Sequence, residues 1–173
     1  MSITNIEIKA ASDDQGKIRK TLRSLNADFR GIDHQTDTYF KVNHGRLKLR
    51  EGEIENNLIW YERDNITGPK QANVILFRSD PGSSLKEILT KSCGILAIVD
   101  KKREIYFINN VKFHIDTVDG AGSFIEIEAI DEDGTIGRDK LMEQCNYYLR
   151  LFNIPDSDLV NCSYSDMLLK SSE

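Results

Sequence analysis

The sequence predicts an α+β fold in which roughly eight strands form an antiparallel barrel or a strongly curved sheet. Most of the chain alternates between apolar and polar residues with period two, which is the signal of a strand. Apolar stripes with helical spacing interrupt this alternation, and most connections are short. Only three prolines occur in 173 residues, so the elements run long. We predict one domain over 1–173, with a barrel at about 3–130 and C-terminal helices at 135–170.

Eight segments carry the strand pattern, and residues that favour turns separate several of them. Residues 43–45, Asn-His-Gly, divide the second segment from the third. Asn109-Asn110 predicts a tight turn between the sixth and the seventh. The predicted strands are 3–10, 33–42, 46–51, 57–63, 72–78, 95–108, 111–118 and 123–130.

Helical spacing marks three helices and a short helical tail. The first helix follows Asp13-Asp14, whose carboxylates favour a helix N-terminus. Ser84 and Glu87 form a capping-box pattern ahead of the second. Residues 156–170 predict one or two further short helices. The apolar stripes are Ile18, Leu22 and Leu25 in the first helix, Leu85, Ile88 and Leu89 in the second, and Leu141, Cys145, Tyr148 and Phe152 in the third.

Composition excludes several functional classes. The net charge is −5, from 23 basic and 28 acidic residues, whereas nucleic-acid binders usually carry a basic excess. No apolar run is long enough to span a bilayer, and the first residues lack a secretion-signal pattern. The three cysteines form no C-x-x-C pair, so we expect reduced, mostly buried thiols and no zinc site. We therefore expect a cytoplasmic protein whose partners include neither nucleic acid nor membrane.

Several predicted strands carry charge at every second position, so one face of each is almost wholly polar. For any single strand, a solvated face is the simplest interpretation. Five such strands, with like charges two residues apart, favour another arrangement. The five sets are Asn5, Glu7 and Lys9; Arg46, Lys48 and Arg50; Lys101 and Arg103; Lys112, His114 and Asp116; and Glu126 and Glu128.

In a barrel, all of these charged faces can line one shared interior. The apolar sides would pack outward against helices, and the charged sides would line a water-filled lumen. Gathered carboxylates suit a hard divalent cation, which prefers oxygen ligands. Lys and Arg side chains suit a polyanion, because guanidinium groups fork onto phosphate oxygens. A small-molecule triphosphate bound with Mg²⁺ (or Mn²⁺) satisfies both sets, and a scaffold with solvated strands is the alternative.

The same residues resemble the CYTH superfamily, the triphosphate tunnel metalloenzymes. Residues 5–9, Asn-Ile-Glu-Ile-Lys, are similar to the N-terminal E-x-E-x-K signature of that family, and residues 44–51, HGRLKLRE, to the basic strand of its class IV adenylyl cyclase branch. The resemblance spans about 3–130. Further matches to that branch follow in order at 61–63 (YER), 68–70 (GPK), 101–103 (KKR), 114–116 (HID) and 124–128 (FIEIE).

The resemblance implies a closed eight-stranded antiparallel barrel around a hydrophilic tunnel. Glu126 and Glu128 would be the main metal ligands, with Glu7 near them. Lys70, in a Gly-Pro-Lys loop, would close over the substrate, and Asp116 would be a metal-side or proton-handling carboxylate on the wall. The implied catalytic groups are Lys9, Lys70 and Asp116, and the implied phosphate-binding groups are Lys9, Lys48, Arg50, Arg63, Lys101 and Arg103.

One position departs from the signature, because Asn5 stands where the family has its first Glu. An amide contributes no negative charge, which would weaken a second metal site. The motifs favour a cyclase that converts ATP to cyclic AMP and pyrophosphate. A triphosphatase acting on tripolyphosphate, thiamine triphosphate or nucleoside triphosphates, and a non-catalytic polyphosphate binder, are the alternatives. Exposed barrel faces could also support a homodimer.

The remaining charged and aromatic residues have simpler interpretations. Glu51, Glu53 and Glu55 predict a solvated hairpin tip, and 131–133 predict an acidic loop. His114 is a candidate donor on the tunnel wall. Tyr61 could stack on a base. Packing is the simplest role for Trp60, Tyr39, Phe40, Tyr147 and Tyr148.

Overall fold

A computed structural model describes residues 3–170 and has the predicted closed barrel. Eight strands, each antiparallel to both neighbours, close in the order β1-β5-β4-β3-β2-β6-β7-β8. Each strand described within 3–170 therefore has two neighbours in the sheet. The strands are β1 Ile3–Ala11, β2 Asp28–Phe40, β3 Arg46–Glu51, β4 Asn57–Arg63, β5 Lys70–Arg78, β6 Ile95–Ile108, β7 Val111–Val118 and β8 Gly122–Asp131.

Four α-helices flank this barrel within 3–170. Asp14 caps α1 by accepting a hydrogen bond from the Lys17 amide, as the acidic pair predicted. Ser84 precedes α2 but makes no side-chain capping bond, so the capping box is not formed. None of the described helices is long and apolar enough to cross a membrane. The helices are α1 Gln15–Ser24, α2 Leu85–Cys93, α3 Arg138–Leu151 and α4 Tyr164–Lys170, with a 3₁₀ turn at Asp156–Asp158.

Two strands begin two or more residues earlier than the alternation predicts. β2 starts at Asp28 because a register shift between Phe29 and Gly31 interrupts the period of two without ending the pairing with β6. β5 starts at Lys70, which pairs with Glu7 of β1. The Gly-Pro-Lys segment therefore ends in a strand. Lys70 was expected in a loop but is the first residue of β5.

The main core lies outside the barrel wall, between β1, β7 and β8 on one side and α1 and α3 on the other. It contains the apolar residues that alternate with the charged ones, which is why the charged faces turn inward. Phe113 packs edge-on against Tyr148 and Phe152. Cys145 is buried in this core, whereas Cys93 and Cys162 are only half-buried. The buried strand residues of this layer are Ile6, Ile8, Ala10, Val111, Phe113, Ile115, Ile125, Ile127 and Ala129.

Truncating Leu141 tests this packing. Leu141 is fully buried in α3, so we expect Leu141→Ala to lower the free energy of unfolding by about 2–5 kcal/mol, measured by urea denaturation. Leu151→Ala in the same helix is the matched control, because Leu151 is 37% exposed. Equal losses for the two variants would contradict the assignment of the buried face.

Candidate active site

The charged strand faces line a cavity of about 280 Å³ inside the barrel. This is the lumen that the alternating charges predicted. Strands on every side contribute to its wall, and apolar residues complete it. The charged lining residues are six basic, Lys9, Lys48, Arg50, Arg63, Arg103 and Lys112, and six acidic, Glu7, Asp37, Glu55, Glu126, Glu128 and Glu132.

Glu126 is the centre of the acidic part of the wall. Strand pairing sets it opposite Lys9 on β1 and His114 on β7. Its carboxylate lies 3.2 Å from Lys9 Nζ and 2.7 Å from Arg103 Nη2. Burial opposes ionisation of Glu126, but Lys9 and Arg103 hold its pKa well below the usual value. Glu126 is therefore a carboxylate at neutral pH, fixed by two cations.

His114 is a neutral imidazole in this wall. Burial, together with Arg103 and Lys112, lowers the pKa of His114 to about 3. Its Nδ1–H accordingly donates to Glu126 Oε2 at 3.1 Å, and Nδ1 lies 3.6 Å from Glu128 Oε1. His114 thus orients Glu126, as second groups often orient ligands in metal sites.

Glu128 and Glu7 extend the acidic wall beside Glu126. Glu128 pairs with Glu7 on β1 and with Lys112 on β7. Burial, reinforced by the Glu126 charge, raises the pKa of Glu128 to about 7. Glu7 Oε1 lies 3.0 Å from Arg63 Nη1. The neighbouring carboxylates repel each other, and a cation among them would relieve that repulsion.

The donor set of this wall fits a hard divalent cation. Ligand atoms of His114, Glu126 and Glu128 lie within 4.8 Å of one another. Asn5 Oδ1 lines the same cavity, is buried and has no hydrogen-bond partner among residues 3–170. Carboxylate and amide oxygens are the ligands that Mg²⁺ and Mn²⁺ prefer.

Asp37 organises the basic part of the wall. Its carboxylate lies 2.7 Å from Lys101 Nζ, 2.9 Å from Lys48 Nζ and 2.9 Å from Arg50 Nε. Burial alone would raise the pKa of Asp37, but the cations, Arg50 foremost, hold it well below the usual value. One buried carboxylate therefore positions three basic side chains, two of which, Lys48 and Arg50, line the cavity.

Arg103 joins the basic part of the wall to the acidic part. Its guanidinium forks onto Asp116, with Nε 2.7 Å from Oδ1 and Nη2 2.6 Å from Oδ2. The same Nη2 contacts Glu126. Tyr164 donates its hydroxyl to Asp116 at 2.7 Å. Asp116 is fully buried behind Arg103, so its carboxylate positions the guanidinium.

A sequence model of the CYTH domain matches residues 4–154. The chain belongs to the CYTH family. A protein of Methanocaldococcus jannaschii, named as a candidate adenylate cyclase, is 27% identical over 172 residues, covering 94% of this chain and 97% of that protein.

Two solved structures share the CYTH fold. A Pyrococcus horikoshii protein superposes with a TM-score of 0.76 at 23% identity, covering 94% of this chain and 98% of that one. A Hippeastrum protein named as a candidate adenylyl cyclase with a dominant triphosphatase activity superposes with a TM-score of 0.62 at 14% identity, covering 99% and 96%.

The CYTH barrel brings most of the predicted site residues together. Those on the cavity wall are Glu7, Lys9, Lys48, Arg50, Arg63, Arg103, Glu126 and Glu128. Lys101, Lys70 and Asp116 lie on the same inward strand faces but are buried beneath the residues that line the cavity. The Lys101 side chain is fully buried against Asp37. Lys70 is 1% exposed and donates to the Val160 carbonyl at 3.1 Å, so it fastens the C-terminal segment to the barrel.

Two acidic side chains lie elsewhere than predicted. Glu55 is not part of a solvated hairpin tip; it lines the cavity and contacts Arg50 and Lys112. Asp131 ends β8 and is 4% exposed, because it accepts hydrogen bonds from the amides of Gly134, Ile136 and Gly137. The first difference adds a carboxylate to the CYTH site, and the second anchors the loop that leads to α3.

Tyr61, a candidate for stacking on a base, and Tyr39, predicted only to pack, both line the cavity, whereas Phe40 and Trp60 do not. Lys48 Nζ lies 5.4 Å from the Tyr39 ring centroid and 5.7 Å from that of Tyr61, within reach of cation–π attraction. Phe40 is buried as expected, and the Trp60 indole donates to the His44 carbonyl.

The C-terminal segment supplies site residues that no motif indicated. Ser163 and Tyr164 line the cavity, and Lys9 Nζ lies 3.8 Å from the Tyr164 ring centroid. Lys9 and Lys70 donate to the carbonyls of Cys162 and Val160. The segment therefore covers the barrel end where β1 finishes. The only sequence signal was the short helix predicted after residue 156.

Proposed function

We propose that this CYTH protein binds the triphosphate of a small molecule with Mg²⁺ or Mn²⁺ and catalyses a reaction at phosphorus. The observation that carries the proposal is the division of one cavity wall into an oxygen-ligand part, around Glu126 and Glu128, and a cationic part, around Arg50 and Arg103. A triphosphate and a divalent cation are complementary to these two parts.

Each part has a distinct role in the proposed reaction. The ion would be held by Glu126 and Glu128, with Glu7 and Asn5 beside them. The bound ion would neutralise negative charge on the phosphates. Lys48, Arg50, Arg63 and Arg103 would bind phosphate oxygens. Lys9 lines the cavity 3.2 Å from Glu126, so we assign it to charge that develops on a departing oxygen. We assign positioning roles to Asp116, through Arg103, and to Lys101, through Asp37.

The finer proposal is an adenylyl cyclase, in which the ribose 3′-hydroxyl attacks the α-phosphorus of ATP and pyrophosphate departs. The name of the Methanocaldococcus jannaschii relative supports it. An apolar set at the cavity mouth, Ile3, Leu76, Phe107 and Ile130, offers room for an organic group.

A triphosphatase is the second candidate, in which water attacks the terminal phosphorus. The cavity volume of about 280 Å³ favours it, because this is at the small end of the range for ligand pockets and suits tripolyphosphate readily. Phosphoryl transfer of either kind depends on positioning and charge neutralisation more than on covalent chemistry.

Product analysis separates the candidates. The purified chain is incubated with Mg²⁺ and either ATP or inorganic tripolyphosphate. Cyclic AMP with pyrophosphate would establish the cyclase. Orthophosphate with ADP, or orthophosphate with pyrophosphate, would establish the triphosphatase. Absence of product from both, in a protein that binds tripolyphosphate, would contradict catalysis and leave a binding role.

A further inference from the structure

Glu55 places a carboxylate across the mouth of the cavity. It belongs to the 52–56 loop between β3 and β4, at the barrel end where β1 begins and β8 finishes. Its Oε2 lies 2.9 Å from Arg50 Nη1 on β3, and its Oε1 contacts Lys112 Nζ on β7. The carboxylate thus bridges two cations on different walls of the cavity.

The loop is built to hold this carboxylate in place. Asp33, fully buried on β2, accepts hydrogen bonds from the amides of Glu53, Ile54 and Glu55 at 2.7, 3.0 and 3.0 Å. Gln35 donates to both Asp33 and Glu55. A buried acid that satisfies three consecutive amides fixes the loop backbone, so Glu55 does not depend on a flexible tip for its position.

The opposite end of the cavity is covered, so a ligand enters past Glu55. Tyr164 and Ser163 line that covered end. At the mouth, Leu76 lines the cavity and is 47% exposed, which shows that the cavity reaches solvent there. A phosphate chain seated beside Arg103 and the ion held by Glu126 would extend toward Glu55.

We propose that Glu55 is a specificity-determining residue that ends the phosphate path and makes the site select a triphosphate over longer polyphosphate chains. A fourth phosphate would approach the Glu55 carboxylate, which already forms ion pairs with Arg50 and Lys112. Two negative groups close together in a confined site repel each other strongly. An uncharged organic group meets no such repulsion. The inference rests on the proposed function, since it presumes that triphosphate binds at the deep cations.

The test compares chain lengths by calorimetry in the presence of Mg²⁺. Inorganic tripolyphosphate, tetrapolyphosphate and a longer polyphosphate preparation are titrated into wild type and E55Q. We expect wild type to bind tripolyphosphate at least about tenfold more tightly than the longer chains, and E55Q to reduce that ratio by about tenfold. E53Q is the matched control, because Glu53 is exposed in the same loop and its loss changes the net charge equally.

The outcomes distinguish a failure of the specificity role of Glu55 from a failure of the proposed function. If E55Q strengthens binding of all chains by one common factor, or leaves the ratio unchanged, the specificity role is wrong while the proposed function stands. If wild type binds no tripolyphosphate, the proposed function fails and this inference with it. Thermal unfolding checks that E55Q is folded. If E55Q does not fold, E55A replaces it, and we expect E55A also to reduce the preference for tripolyphosphate over the longer chains.

Discussion

Replacing Glu126 with Gln is expected to reduce metal-dependent turnover by about a thousandfold while the barrel stays folded. The amide keeps the shape of the carboxylate but removes the charge at the centre of the acidic wall. It also removes the charge partner of Lys9 and Arg103. Binding of Mg²⁺ should weaken, whereas binding of tripolyphosphate without metal should be unchanged or stronger, because Lys9 loses its charge partner and Arg103 keeps only Asp116. Steady-state kinetics and calorimetry measure the two effects.

Glu62→Gln is the control for this experiment. Glu62 lies on β4 with its side chain 49% exposed, 3.2 Å from His44, and it does not line the cavity. The substitution removes the same charge from the chain, so turnover should stay near that of wild type. Full activity in Glu126→Gln would remove Glu126 from the metal site. Equal losses in both variants would point to net charge as the cause.

Replacing Asp37 with Asn is expected to cost about 3–5 kcal/mol of stability. The variant leaves Lys48, Arg50 and Lys101 close together without the carboxylate that holds them. Asp37 is 1% exposed, so solvent cannot replace it. Urea denaturation measures the loss. Tripolyphosphate should stabilise the variant more than wild type, because it supplies the missing negative charge.

The stability loss in Asp37→Asn should depend on pH in one direction. The pKa of Asp37 is held well below its usual value in the folded state. Its contribution is therefore complete above the unfolded-state pKa of about 3.9 and is lost as the pH falls through the lower folded-state pKa. Wild type should be clearly more stable than the variant from neutral pH to about pH 5, and the two should converge in stronger acid.

Asp28→Asn is the control, because Asp28 and Arg30 form an ion pair whose side chains are 58% and 59% exposed, respectively. Exposed pairs contribute little, so the variant should unfold like wild type at every pH. A loss in Asp37→Asn no larger than in this control would contradict the assignment of Asp37 as the centre of the basic wall.

The placement of charged residues at every second position predicted which strand faces form the cavity. The charged residues around Glu7, Lys48 and Glu126 point into the barrel, because the apolar residues that alternate with them pack on its outside, many of them under helices. Asp37 was missed although the signal was present. Asp33, Gln35, Asp37 and Tyr39 share one face of the strand predicted at 33–42, and all four are buried in the structure.

The rest of the site depends on contacts between distant parts of the chain. Glu55 follows a hairpin strand and has the local pattern of a solvated tip. Its inward direction comes from Asp33, which binds the loop amides from about 20 residues away. Tyr164 reaches Asp116 across a sequence separation of 48. No local periodicity encodes either contact, so only the folded chain shows them.

The most direct test of the proposed site is a calorimetric titration of the wild-type chain with inorganic tripolyphosphate, with and without Mg²⁺. The proposal predicts one tripolyphosphate bound per chain, with a Kd of about 1 μM or lower when Mg²⁺ is present and weaker binding when it is absent. Absence of binding under both conditions would mean that the charged cavity is not a triphosphate site.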